Sequence, residues 1–182
     1  NVPVLYLSTE MSANELFVKM VASEAGVDSN VIRRGATMGS QKDRLDVAGE
    51  ILKKKQIYID DRSIPIAEAC ASIRAHVRKG VKLVIADYLQ KFDPPSGKGN
   101  RELEVGSIAS ALKRVAHEQQ IPIVAPAQIS RDTKGRADKH PQLSDIRESG
   151  RIEQDADIVM VLFWPSRYDD GIDEKEYHLC IL

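Results

Sequence analysis

The sequence predicts an α/β fold, a mostly parallel sheet flanked by helices. Three observations carry that expectation. Apolar, β-branched runs recur along the 182 residues, and most are followed by a stretch of helical periodicity rather than by a tight hairpin turn. The run Val81 to Ala86, apolar apart from Lys82 and preceded by Gly80, has the pattern of a strand buried on both faces of a parallel sheet. Several of these runs deliver a polar side chain to their carboxyl end, which is where open α/β sheets bind ligands.

Composition bounds what such a fold can be. With 42% hydrophobic and 29% charged residues, the chain is long enough for one well-packed domain, and a single unit over residues 1–182 is expected. A net charge of −1 gives no global nucleic-acid signal, so binding to DNA or RNA has to come from a local patch. Cys70 and Cys180 are far apart and each has apolar neighbours; both read as buried thiols in a reducing compartment, and neither belongs to a metal motif. No apolar run reaches spanning length and no signal peptide is present, so a cytoplasmic protein without membrane contact is expected.

The first strand is Val2 to Leu7, which hands on Ser8-Thr9-Glu10-Met11. Ser12-Ala13-Asn14-Glu15 is a capping box, so a helix should begin there and run to about Ala25, where Gly26 stops it. Glu10 therefore falls in a strand-to-helix turn, either as a plain exposed glutamate or as a carboxylate that polarises water beside a metal held by Asp87. Val27 to Ser40 is polar with Gly35 and Gly39, a turn region with room for one short helix. Gln41 to Lys55 returns to helical spacing, with Leu45, Ala48, Ile51 and Leu52 on one face and three lysines in the last turn, a solvated end that suits the helix dipole.

Gln56 to Asp61 is a short strand with an acidic tip, and Pro65 opens a helix reaching about Lys79 whose inward face is Ala69, Ile73 and Val77. His76 within it has no partner at metal-ligand spacing and reads as a surface or half-buried side chain. Asp87 at the tip of the next strand either caps a turn or holds Mg²⁺ directly or through water; the strand alone does not separate the two.

Asp93 to Asn100 holds two prolines and two glycines and is a loop; Gly97-Lys98 lacks the G-x-x-x-x-G-K-[ST] spacing of a phosphate loop. Glu102 to Gln119 is the next helix, with Leu103, Ile108, Leu112 and Val115 inward, and Ile121 to Ala127 is a further strand whose prolines limit its ladder bonds. It ends at Gln128, whose amide can donate to a phosphate oxygen and accept from water. Glu10, Asp87 and Gln128 thus place complementary polar groups at three strand tips. Arg131 to His140, with Lys134, Arg136 and Lys139, is the most basic local stretch, read either as a solvated flexible loop or as one that contacts phosphates.

Leu143 to Asp157 reads L-S-D-I-R-E-S-G-R-I-E-Q-D-A-D and is followed by the apolar run Ile158 to Trp164. This resembles the fourth signature motif of DnaB-type replicative helicases. Ser8-Thr9-Glu10-Met11-Ser12 is similar to the family's L-E-M-S element, Leu83 to Gln90 to its Walker B strand, and Ala127 to Arg131 to its S-Q-L-S-R element, so that the resemblance covers nearly the whole chain. It implies a RecA-like ATPase domain using ATP and Mg²⁺, assembled as a homo-hexamer that translocates on single-stranded DNA, with a helicase loader and a primase as candidate partners.

Residue by residue, the resemblance implies that Glu10 is the catalytic glutamate, Asp87 the Walker B metal ligand and Gln128 the phosphate sensor. Arg147, Glu148 and Gly150 match the loop that holds the DNA backbone. No Walker A motif is present, and the family's arginine finger and K-Q-R-N-G element lie beyond the strand matching Tyr177 to Leu182. The expectation is therefore a piece of a longer helicase, inactive alone. In the family's strand order the phosphate-loop strand lies between those matching Ile121 to Ala127 and Ile158 to Phe163, so the sheet should be incomplete, with these two flanking an open slot. The strand-tip acids alone would also fit a RecA- or KaiC-like ATPase that does not unwind DNA, and the lost phosphate loop would fit a non-catalytic assembly or DNA-binding module.

Overall fold

The computed structural model describes residues 2–62, 65–95, 100–129, 139–146, 150–169 and 171–182. Four parallel strands, β1 (Val4–Ser8), β2 (Ile57–Asp60), β3 (Leu83–Asp87) and β4 (Ile123–Val124), form a sheet in the order β2-β1-β3-β4. The central β1 is paired on both sides, Val4 to Ser8 running in register with Leu83 to Asp87. Parallel neighbours require crossovers, and these are supplied by helices α1 (Ala13–Ala25), α2 (Ser29–Arg33), α3 (Ser40–Lys53), α4 (Ile66–Val77) and α5 (Arg101–Gln119). A short α6 (Gly150–Asp155) and an antiparallel pair, β5 (Met160–Phe163) with β6 (His178–Ile181), follow, and single 3-10 turns lie at Leu89–Lys91, Leu143–Asp145 and Pro165–Arg167.

Side-chain alternation decides which face of the sheet is the core. Leu5, Leu7, Val84 and Ala86 point to one side and are fully buried against Ile66, Ala69 and Ile73 of α4 and Val105, Ile108, Leu112 and Val115 of α5. Each large aliphatic side chain so buried stabilises the fold by about 1.5–3 kcal/mol before entropy is subtracted. The alternate residues, Tyr6, Leu83, Ile85 and Asp87, are half-buried on the opposite face. The expectation that β3 is buried on both faces is corrected accordingly: one face is closed and the other only half covered. A second, smaller cluster joins α1 and α3 through Ala25, Val27 and Ala48.

Several local expectations hold in detail. Ser12 and Glu15 form the reciprocal capping box, and Gly26 takes the left-handed conformation at φ 61° that ends α1. Other boundaries move. Leu103, in the first turn of α5, is 60% exposed rather than inward, the buried face of that helix beginning at Val105, and Ile51 is exposed on α3. Cys70 is buried as expected, whereas Cys180 is only half-buried, since it lies on the outlying β6. His76 is half-buried, its ring 5.4 Å from that of Tyr58.

The expected strand Ile121 to Ala127 shortens to two residues, because Pro122 and Pro126 bring no N–H to the ladder. What remains is Val84 paired with Ile123 and Ile85 with Val124. On its far side β4 has no strand partner among the described residues, and β5 pairs with β6 instead of with β4. The two strands expected to flank an open slot therefore do not pair with each other. Gly97-Lys98 and residues 131–138 of the basic stretch lie outside the described residues.

Candidate functional site

The register of β1 and β3 puts Ser8 opposite Asp87, so both strands end at the same level. The turn beyond β1 is stitched to that level: the Thr9 backbone N–H donates to the Asp87 carbonyl at 2.9 Å, and the Thr9 hydroxyl donates to the same oxygen at 3.0 Å. Buried Ser8 tightens the turn further, its hydroxyl donating to the Met11 carbonyl at 2.7 Å and accepting from the Met11 N–H at 3.2 Å. Glu10, between Thr9 and Met11, is thereby presented to solvent from a fixed turn. Its carboxylate lies 3.1 Å from the Lys91 ammonium, and this contact raises the Lys91 pKa above its ordinary value.

Asp87 is half-buried and carries a hydrogen bond that no sequence pattern announced. The Tyr6 hydroxyl, on the same face of the neighbouring strand, donates to an Asp87 carboxylate oxygen at 2.5 Å. Burial raises the Tyr6 pKa strongly and the Asp87 carboxylate raises it further, so the phenol keeps its proton and remains a donor. The Asp87–Tyr88 peptide is cis. A single oriented carboxylate with free coordination sites suits Mg²⁺, which is held in nucleotide enzymes by one or two carboxylates, waters and phosphates. No group of three or more His, Cys, Asp or Glu at metal-binding distances occurs among the described residues, so a dedicated all-protein cage is not what the donor set offers.

Gln128 is exposed at the end of the segment that follows β4. Its backbone is held by the side chain of Gln90, whose Oε1 accepts from the Gln128 N–H at 3.1 Å and whose Nε2 donates to the Gln128 carbonyl at 3.4 Å. The three side chains singled out from the sequence thus sit at the ends of three adjacent strands. Tyr6, Thr9, Gln90 and Lys91, which fix those ends, were not singled out. A tyrosine within the otherwise aliphatic run Val4-Leu5-Tyr6-Leu7 was the one signal available.

The β2 tip is occupied differently. Asp60 is buried and accepts two hydrogen bonds from Arg62 at 2.7 and 2.6 Å and one from Ser72 at 2.8 Å. Asp61 accepts from the Ala13 N–H at 2.7 Å, at the start of α1, and so ties this tip to the turn that carries Glu10. Of the expected DNA-contacting residues, Gly150 is the exposed first residue of α6, which packs on α5 through buried Ile152; Arg147 and Glu148 lie outside the described residues.

The family model for the DnaB-like helicase C terminal domain matches residues 1–181. The chain is similar to the replicative DNA helicase DnaB of Buchnera aphidicola subsp. Schizaphis graminum, 38% identical over 180 residues and covering 95% of this chain. It is also similar to the replicative DNA helicase DnaC of Bacillus subtilis, 38% identical over 175 residues and covering 94% of this chain. It spans 38% of the length of each of these relatives. Among solved structures, an ATPase domain superposes with a TM-score of 0.91 at 29% identity, covering 99% of this chain and 66% of that one. A DnaB-like replicative helicase, solved with attention to its interactions with primase, superposes at 0.89 and 27% identity, covering 100% of this chain and 47% of that one. The parallel sheet flanked by helices is the RecA-like arrangement of these ATPase domains.

Proposed function

This chain belongs to the family of DnaB-like helicase C-terminal domains, and from that premise we propose that residues 1–182 form the motor core of a hexameric, ATP-dependent replicative DNA helicase. Within a longer protein this single domain would hydrolyse ATP and drive translocation on single-stranded DNA. The observation that carries the reading is the stitched pair of strand tips. Thr9 binds the Asp87 carbonyl twice, which fixes the Glu10 turn against the strand end that bears a Tyr6-oriented carboxylate.

In this reading Asp87 would hold Mg²⁺, which when bound would offset charge on the nucleotide phosphates. Glu10 would accept a proton from water and orient it, a role for which its carboxylate is also paired with the Lys91 ammonium. Gln128 offers an amide donor to a terminal phosphate and reports whether one is present. Arg147, Glu148 and Gly150 hold the DNA backbone, and an arginine with a glycine amide reads phosphates without reading bases, as a translocating motor requires. One structural neighbour is a helicase that interacts with primase, and we include primase and a loader as candidate partners of the assembled ring.

Glu10→Gln in the full-length protein tests the reading. The variant should still bind ATP but lose most hydrolysis, by about a hundredfold or more, because an amide cannot accept the proton. Turnover at the unaltered rate would remove Glu10 from this role. Hydrolysis without strand separation in the unaltered protein would favour an ATPase of the RecA or KaiC type instead.

A further inference from the structure

The sheet ladder breaks before it reaches Gln128. β3 and β4 exchange backbone bonds only as far as the Ile85–Val124 pair, and the Leu89 N–H then donates to the Pro126 carbonyl at 2.9 Å. Pro126 has no N–H with which to continue. Two residues further on, the Gln90 side chain takes the place of a strand backbone, presenting one acceptor and one donor to the Gln128 main chain. This side chain joins the Gln128 main chain to the turn that follows the strand bearing Asp87, while the next residue, Ile129, bridges to Ile146.

Gln90 is itself rigidly mounted. It lies in the turn Leu89–Lys91, between buried Leu89 and buried Phe92, and its own carbonyl accepts a hydrogen bond from Arg101 at the start of α5. The next residue, Lys91, carries the ion pair to Glu10. One short turn therefore touches both the residue proposed to activate water and the residue proposed to sense phosphate.

We propose that Gln90 is a positioning residue for ATP hydrolysis, acting through Gln128: its side-chain amide fixes the main chain of Gln128 so that the sensor amide is aimed before nucleotide arrives. This rests on the assignment of Gln128 as phosphate sensor. It differs from a merely structural role because the two bonds end on the sensor backbone and not in the hydrophobic core.

The test uses the full-length helicase with Mg²⁺, ATP and single-stranded DNA, and compares Gln90→Leu, Gln90→Glu, Gln128→Ala and the double variant Gln90→Leu/Gln128→Ala. Losing two modest hydrogen bonds should lower kcat roughly five- to tenfold, with KM for ATP changed by less than about twofold. Gln90→Glu keeps the acceptor for the Gln128 N–H but sets a carboxylate against the Gln128 carbonyl, and should fall between the two. In the Gln128→Ala background, Gln90→Leu should add less than about a twofold further loss, since the group it aims is already gone. Gln90→Glu is nearly isosteric and retains the readout if Gln90→Leu does not fold. Normal kcat in Gln90→Glu or Gln90→Leu while Gln128→Ala is impaired would overturn the positioning role and leave the sensor assignment standing; so would fully multiplicative losses in the double variant. Normal hydrolysis in Gln128→Ala would remove the sensor assignment, and the positioning role with it.

Discussion

Asp60 shows how much a single buried carboxylate depends on its partners. The Arg62 guanidinium beside it holds its pKa at about 2 against an ordinary 3.8, working against the burial that would raise it and helped by the Ser72 hydroxyl. A depressed folded-state pKa means that the charged form is what the fold stabilises, so the contribution is present above the unfolded value and fades as pH drops from about 4 towards 2. Because the Arg62 side chain is largely solvent-exposed, the contribution is roughly 1–2 kcal/mol rather than the full amount the shift implies. Asp60→Asn should melt several degrees below the unaltered protein near neutral pH, and the gap should close as the pH is lowered through that window; a gap that persists at its lower end would contradict the linkage. At this scale the sequence was legible wherever chemistry followed strand position. Glu10, Asp87 and Gln128 stand at the ends of apolar runs, so they could be named from local pattern alone. Tyr6 could not, because its partner lies 81 residues away, and nothing in the run Val4 to Leu7 states which side chain will face it.

At the scale of elements, capping and turn chemistry was readable and lateral packing was not. Ser12, Glu15 and Gly26 delimit α1 through contacts within a few residues, whereas the length of β4 is set by two prolines and by how far β3 extends beside it. Gly106 is a case of the second kind. It is buried within α5, and a methyl group there would come within 2.8 Å of Arg151 Cδ and 2.9 Å of Arg151 Cβ on α6. Replacing an interior helical glycine by alanine ordinarily gains about 1 kcal/mol. Here the Cβ of Arg151 cannot swing aside as a side-chain terminus would, so α6 must shift, and overpacking of this sort costs about 1–3 kcal/mol. Gly106→Ala is therefore expected to be neutral at best and most simply to lower the Tm by a few degrees. Because α6 begins at Gly150, proposed above to hold the DNA backbone, the same variant in the full-length protein should bind single-stranded DNA less tightly; an increased Tm with unchanged DNA affinity would show that α6 tolerates the methyl group.

For the whole molecule, the unequal covering of the sheet decides where stability resides. One face of β1 and β3 is sealed by α4 and α5, while β5 and β6 form a two-stranded ribbon that pairs with no other strand among the described residues. Antiparallel pairing sets Met160 opposite Ile181 and Leu162 opposite Leu179, and all four are at least half exposed, so the ribbon presents a continuous apolar face. Only the alternate face, through buried Val161, is covered. The resemblance predicted an open slot between β4 and β5; among the described residues β4 pairs only with β3, and β5 pairs only with β6. Two-stranded ribbons are marginal in water, so a polypeptide of residues 1–182 should open at β5 and β6 far more readily than at β1 and β3. In such a polypeptide, backbone amides of Met160 to Phe163 should exchange with solvent several orders of magnitude faster than those of Leu5 to Leu7. In a longer polypeptide that contains this domain, chain paired to β4 or laid on the ribbon should bring the same amides towards the protection of β1. Equal protection of β5 in the two proteins would mean that the slot stays empty and that the strand order inferred from the family does not apply.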